Sequence, residues 1–177
     1  MSDAEPVVER RRGEFVASSD RARIDVGAVH AFLASSYWAE GIPLETVRRS
    51  IEHSLCFGVY HGERQVGFAR TITDRATYAY LADVYVLDAY RGRGLARLLM
   101  ECVMAHPALQ GLRRFSLVTR DAQGLYEQFG FTPVPDVPTY MEIRRTGLYR
   151  AGARDAHPAP ASAPGEPDER SRAATAG

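Results

Sequence analysis

Lysine is missing from this chain: all 22 of its basic residues are arginine. A P-loop needs a Gly-Lys-Ser/Thr step against its phosphates, so that class of nucleotide site is excluded at once. Charge of one sign is not in excess either, because 22 acidic residues balance the 22 basic ones. Nucleic-acid binders and proteins held on anionic lipid need a basic surplus, and neither is expected here. The run Arg10-Arg11-Arg12 reads as a solvated segment near a terminus. Cysteine is scarce. Cys56 and Cys102 sit in apolar stretches without metal-ligand spacing, which argues against both a disulfide scaffold and a metal site. No apolar run reaches the length of a membrane span, and the charged opening "MSDAEPVVERRR" lacks the apolar centre of a signal peptide. A soluble cytoplasmic protein is expected. The all-arginine basic set, with abundant Ala, Pro and Gly, reads as GC-rich coding of a bacterial kind.

What the chain does have is a patterned centre between two plain ends. A length of 177 residues is enough for one domain with a self-sufficient core. Residues 1–13 are polar and aperiodic and read as a flexible N-terminus. Residues 146–177 are rich in Ala, Pro and Gly and too poor in large apolar side chains to offset ordering entropy, so they read as a disordered tail. Residues 14–145 form the expected single domain.

Within it, "EFVAS" (14–18) is a strand, and Asp25 is placed to cap a helix bearing Val26, Val29, Phe32 and Leu33. Pro43 opens a second helix with Leu44, Val47, Ile51 and Leu55 on one side. Two strands flank the hairpin signal His61-Gly62-Glu63-Arg64. The nearly continuous apolar run "TYAYLADVYVL" (77–87) predicts a central strand covered on both faces. A helix from Leu95 to Val103, a strand at 113–119 and a helix ending at Gly130 follow, and "FTPV" and "YMEIRR" can pair as a last hairpin. The expected order is βααβββαβαββ, an α+β (mixed α/β) fold with a mixed sheet.

The stretch "YRGRGLARLLM" (90–100) places two glycines directly before an apolar helix. Glycine lets backbone approach an anion closely, and the first amides of a helix have no partner inside it. Arg91 and Arg93 add positive charge, so the turn suits a phosphate or pyrophosphate. A dinucleotide fingerprint fails, since Arg97 stands where G-x-G-x-x-G needs its third glycine and a hairpin meander precedes it. The remaining pattern, Q/R-x-x-G-x-G/A, is met by Arg91, Gly94 and Ala96.

That pattern, between an apolar strand and a helix, resembles the GCN5-related N-acetyltransferases, the GNAT family. A second motif agrees: in "LVTRDAQGLYEQFGF" (117–131), Ala122, Tyr126, Gly130 and Phe131 follow a strand at the family's spacing. The resemblance covers roughly residues 14–145. It implies an acetyl-CoA-dependent N-acetyltransferase acting in a ternary complex on a primary amine, without a metal. A GNAT-fold acyl-CoA-binding or regulatory module is the alternative.

By the same resemblance, the backbone of Val84, Tyr85 and Val86 holds the pantetheine arm. The amides of Arg91, Gly92, Arg93, Gly94, Leu95 and Ala96 wrap the pyrophosphate. The fourth and fifth predicted strands splay apart around the thioester, with an amide near Val86 polarising its carbonyl. Thr119 stands where the family often has Asn and offers its hydroxyl to the pantetheine. Tyr126 shares an apolar stripe with Ala122, Leu125 and Phe129, which alone reads as packing, but the motif makes it the acid that protonates the leaving thiolate.

Asp83 is the only charge in the central strand. It is the base or acceptor anchor, or else the structural partner of an arginine or backbone amide. Glu40, Glu45, His53 and a water chain are the other sources of a base. Tyr37 and Trp38 of "SYWAEGIP" either wall the acceptor slot or pin their loop to the core. The acceptor is a small-molecule or protein amine of unstated identity, with homodimerisation left open.

Overall fold

The computed structural model describes residues 5–135 and 137–149. One six-stranded sheet runs in the order β1-β2-β3-β4-β5-β6. Its strands are β1 (Glu9–Arg12), β2 (Phe15–Ser18), β3 (Leu55–His61), β4 (Arg64–Thr73), β5 (Tyr78–Val86) and β6 (Arg114–Leu117). The helices are α1 (Val26–Ser35), α2 (Leu44–Glu52), α3 (Leu95–Met104) and the short α4 (Gln123–Glu127). Neighbouring strands are antiparallel through β5, and only β5 and β6, joined across α3, run parallel. The α+β class and mixed sheet expected from the sequence are present.

The local chemistry explains the elements. Asp25 caps α1 by accepting from the Ala28 amide at 2.9 Å. Gly62, at φ +59°, makes the tight turn between β3 and β4. Alternation along β3 sends Leu55, Phe57 and Val59 to one face and Cys56 to the other. The first face packs on α3 through Leu95, Leu98, Leu99 and Val103. The second packs on Val29 and Leu33 of α1 and Val47 and Ile51 of α2. The strand predicted to be covered on both faces therefore is so, with Leu81 in one core and Tyr85 in the other.

Three expectations about the ends are corrected. Residues 9–12, read as part of a flexible terminus, form β1, which pairs with β2 from Glu9↔Ser18 to Arg12↔Phe15 around Gly13. An edge strand needs no buried stripe, so its charged sequence carried no periodic signal. The predicted C-terminal hairpin is not formed: 131–134 and 140–145 contain no strand. Pro133, Pro135 and Pro138 remove ladder donors from this segment, and Met141 and Ile143 stay 92% and 89% exposed. Residues 146–149, read as the start of the disordered tail, form a turn in which the Tyr149 carbonyl lies against Gly41; the rest of that tail lies outside the described residues.

Candidate active site

The site begins with a fault in the sheet. Between Phe68↔Tyr85 and Arg70↔Ala82, two residues of β5, Asp83 and Val84, face one residue of β4. This β-bulge puts Asp83 at φ +55°, in the left-handed region. Aspartate tolerates that region better than most residues because it is short and polar. Both carboxylate oxygens are engaged. Oδ2 accepts from Arg70 Nε at 2.8 Å, and Oδ1 accepts from the Trp38 indole Nε1 at 3.2 Å. Arg70 also donates to Ser54 Oγ at 3.2 Å. The Arg70–Asp83 pair is mostly buried, with side chains 15% and 13% exposed.

The bulge lies where β5 parts from β6. Their pairing ends at Leu81↔Leu117, while β5 continues to Val86. The splay expected between the fourth and fifth predicted strands, here β5 and β6, is thus seen in the register. Past the bulge, the Leu87 amide bonds back to the Val66 carbonyl at 2.9 Å. Alternation then turns the backbone of Val86 the other way, into the gap. Its carbonyl accepts from Arg91 Nε at 3.3 Å.

Beyond Val86 the chain makes a short turn over 88–90 and enters the glycine loop. Gly92 and Gly94 have φ +74° and +72°. Gly94 caps α3 and supplies no side-chain acceptor, so the first amides of that helix keep free donors. The Gly94 carbonyl accepts from the Leu98 amide at 3.0 Å and from Arg12 Nη1 at 2.9 Å. Arg12 also meets Glu101 at 3.3 Å. Arg12 is therefore tied to the loop, and the reading of 10–12 as a merely solvated run is corrected for this residue. Arg91 pairs with Asp88 at 3.0 Å, and Arg93 lies over the Tyr90 ring at 5.7 Å. A loop with unpaired helix amides, two left-handed glycines and basic flanks fits a pyrophosphate.

Across the gap, Thr119 Oγ1 accepts from the Ala122 amide at 3.0 Å and keeps its own proton to donate. Tyr126 is 8% exposed, and burial, aided by the nearby Asp121, pushes its hydroxyl pKa up to about 12. Its ring meets Phe131 edge-on at 6.0 Å. Tyr126 is therefore packed in the core, as its place on an apolar stripe predicted.

Tyr37 and Trp38 are 62% and 43% exposed and meet edge-to-face at 4.9 Å. They line an open cleft of about 540 Å³ with Glu40, Arg120 and the 144–149 segment. Trp38 lines the cleft while its indole fastens the α1–α2 loop to Asp83. Of the other candidates for a base, only Glu40 lines this cleft; Glu45 and His53 do not.

The family profile described as an acetyltransferase (GNAT) domain matches residues 52–133, from the end of α2 to just beyond Phe131. A crystal structure from Xanthomonas campestris pv. campestris, assigned as an acetyltransferase of the GNAT family, is 52% identical; the match covers 77% of this chain and 96% of that one, with a TM-score of 0.74. This chain belongs to the GNAT family. It is an acyltransferase of the N-acetyltransferase kind. A Gibberella zeae protein bearing an acetyltransferase name is 33% identical over 138 residues, 65% of this chain and 77% of that protein. Relatives of this chain thus occur in a fungus as well as in a bacterium. A Clostridium acetobutylicum acetyltransferase crystallised with acetyl-CoA shares the fold at 14% identity and a TM-score of 0.53, covering 73% of this chain and 94% of that one. Among the described residues of this GNAT chain, no helix is long and apolar enough to cross a membrane, and no cluster of His, Cys, Asp or Glu could hold a metal ion.

Sequence reasoning missed Arg70, Arg12 and Arg120. Arg70 faces Asp83 only because of the bulge register, and Arg12 reaches the loop only because β1 joins the sheet. Arg120 lies within the quoted second motif, but its stacking on Tyr37, 3.7 Å from the ring centre, joins segments 83 residues apart.

Proposed function

We propose that the chain moves an acetyl group from acetyl-CoA directly to a primary amine, with both substrates bound together. The observation that carries this reading is the Val86 backbone, turned out of the sheet where β5 leaves β6 and continuous with the amide-lined loop at Gly94. Bound acetyl-CoA supplies an acetyl carbonyl whose C–S bond breaks, with loss of the thiolate, as the acceptor nitrogen forms the C–N bond.

The chain's own groups then divide the work. Free amides at 92–96 hold the pyrophosphate, the Arg91 amide being taken by the Asp88 carbonyl at 3.2 Å, and the backbone of Val84, Tyr85 and Val86 orients the pantetheine, assisted by the Thr119 hydroxyl. The Val86 N–H donates to the acetyl oxygen as charge develops there. Tyr126 gives its hydroxyl proton to the departing sulfur. With its pKa raised to about 12 the phenol stays protonated at neutral pH; handing that proton to a thiolate whose conjugate thiol has a pKa of about 8.5 is uphill, so the transfer is completed as the C–S bond breaks, and the tyrosinate takes a proton back from solvent afterwards. The proton released by the acceptor nitrogen passes to water. Asp83 acts through position: with both oxygens already accepting, it holds the bulge open.

Calorimetry with acetyl-CoA, followed by free-thiol release across a panel of amines, tests this. Binding with a broad absence of turnover would leave a coenzyme-holding module; absence of binding would end the proposal.

A further inference from the structure

We propose that the acceptor is a small amine that also carries a carboxylate, of the amino-acid type, held by Arg120 and Arg145 across the mouth of the cleft. This deepens the acetyl-transfer reading and rests on it.

The cleft is bordered by residues tied to the two strands that part. Trp38, on one lip, is bonded to Asp83 in the β5 bulge at 3.2 Å. Arg120, on the other lip, stands three residues past the end of β6. In this proposal the amine nitrogen enters from the cleft toward the gap beside Val86, and the carboxylate end of the acceptor stays among the cleft residues.

The cleft is lined by three arginines, Arg120, Arg144 and Arg145, and by one acidic residue, Glu40. Arg144 is met by Glu142 at 3.4 Å. Arg120 and Arg145 form no ion pair among the described residues. Arg120 is held face-down on Tyr37, its carbon 3.7 Å from the ring centre. Stacking occupies the face of a guanidinium and leaves its in-plane N–H donors free, the geometry that grips a carboxylate in a fork. Like charge at the mouth disfavours polyamines and aminoglycosides, which bring several cations at once. Tyr37 and Trp38 offer flat apolar area between the two ends of such an acceptor.

The test compares, with acetyl-CoA saturating, a set of amino acids with their carboxamides and decarboxylated amines, alongside spermidine and kanamycin. At least one amino acid is expected to be acetylated with kcat/KM about tenfold or more above its amide, the scale of one charge-assisted pair. Spermidine and kanamycin should stay near background. Arg120→Gln and Arg145→Gln should pull the acid-to-amide ratio toward one through KM rather than kcat, with acetyl-CoA calorimetry confirming a folded protein. Amides or simple amines matching the acids would overturn the carboxylate role. So would preferred acetylation of the polycations, or an idle acid set in a protein that binds acetyl-CoA. Failure to bind acetyl-CoA would instead remove the acetyl-transfer reading beneath it.

Discussion

The indole of Trp38 donates to Asp83 at 3.2 Å, and this bond joins the loop lining the cleft to the bulge that turns β5 away from β6. Because Arg70 holds the second oxygen of the same carboxylate at 2.8 Å, the bulge is fastened from both sides. Trp38→Phe keeps the ring but removes the donor. Steady-state kinetics should show KM for the acceptor rising several-fold, with acetyl-CoA affinity nearly unchanged. An unaltered acceptor KM would mean the indole bond does not set the cleft.

Asp83→Asn separates positioning from proton transfer. Asparagine also accepts the left-handed backbone, so the bulge geometry is tolerated. The amide loses the charge opposite Arg70, and removal of one member of a mostly buried pair should cost about 2–4 kcal/mol of stability by denaturant titration. Activity should fall by no more than about tenfold and by the same factor at every pH. Loss of about a hundredfold or more, with the acidic limb of the pH profile removed, would make Asp83 the base instead.

Tyr126→Phe should lower kcat by about a hundredfold while KM for acetyl-CoA moves little, as for removal of a general acid. In the parent protein, burial raises the hydroxyl pKa to about 12, so the acid remains protonated through neutral pH. The rate should rise as the acceptor amine loses its proton and show no decline from tyrosine ionisation below pH of about 10. The sign for stability follows from the raised folded value: the contribution is complete below the unfolded pKa of about 10 and is lost as pH climbs from there to about 12. A descending limb in kcat near pH 8 that disappears in the Phe variant would contradict the raised pKa, and a kcat unchanged in that variant would contradict the acid role.

Gly94→Val tests the loop. At φ +72° any L side chain is strained, and its first carbon would collide with the Arg12 guanidinium. Calorimetry should show acetyl-CoA binding lost. Arg12→Gln spares the glycine and removes a donor to the Gly94 carbonyl. It should weaken acetyl-CoA binding by several-fold without changing the acceptor preference. A folded Gly94→Val protein with parental affinity would refute the cradle.

Much of the molecule was legible beforehand because the relevant signals are local. Helix caps such as Asp25, the hairpin at Gly62 and the apolar spacing of α3 depend on neighbours within a few residues. The ends were less legible. Charged β1 needs only backbone bonds to β2, and the final hairpin failed where Pro133, Pro135 and Pro138 interrupt its pairing, despite the apolar alternation around Met141 and Ile143.

By itself, the order of residues determined the glycine turn, its unpaired amides and the GNAT membership, since these follow from steric freedom and spacing along one stretch of backbone. Tertiary structure alone decided that Asp83 is shared by Arg70 and Trp38, that Arg12 reaches Gly94, and that Arg120 lies on Tyr37. Each contact joins separate segments through strand register or loop packing, and a bulge of one residue redirects every side chain that follows it.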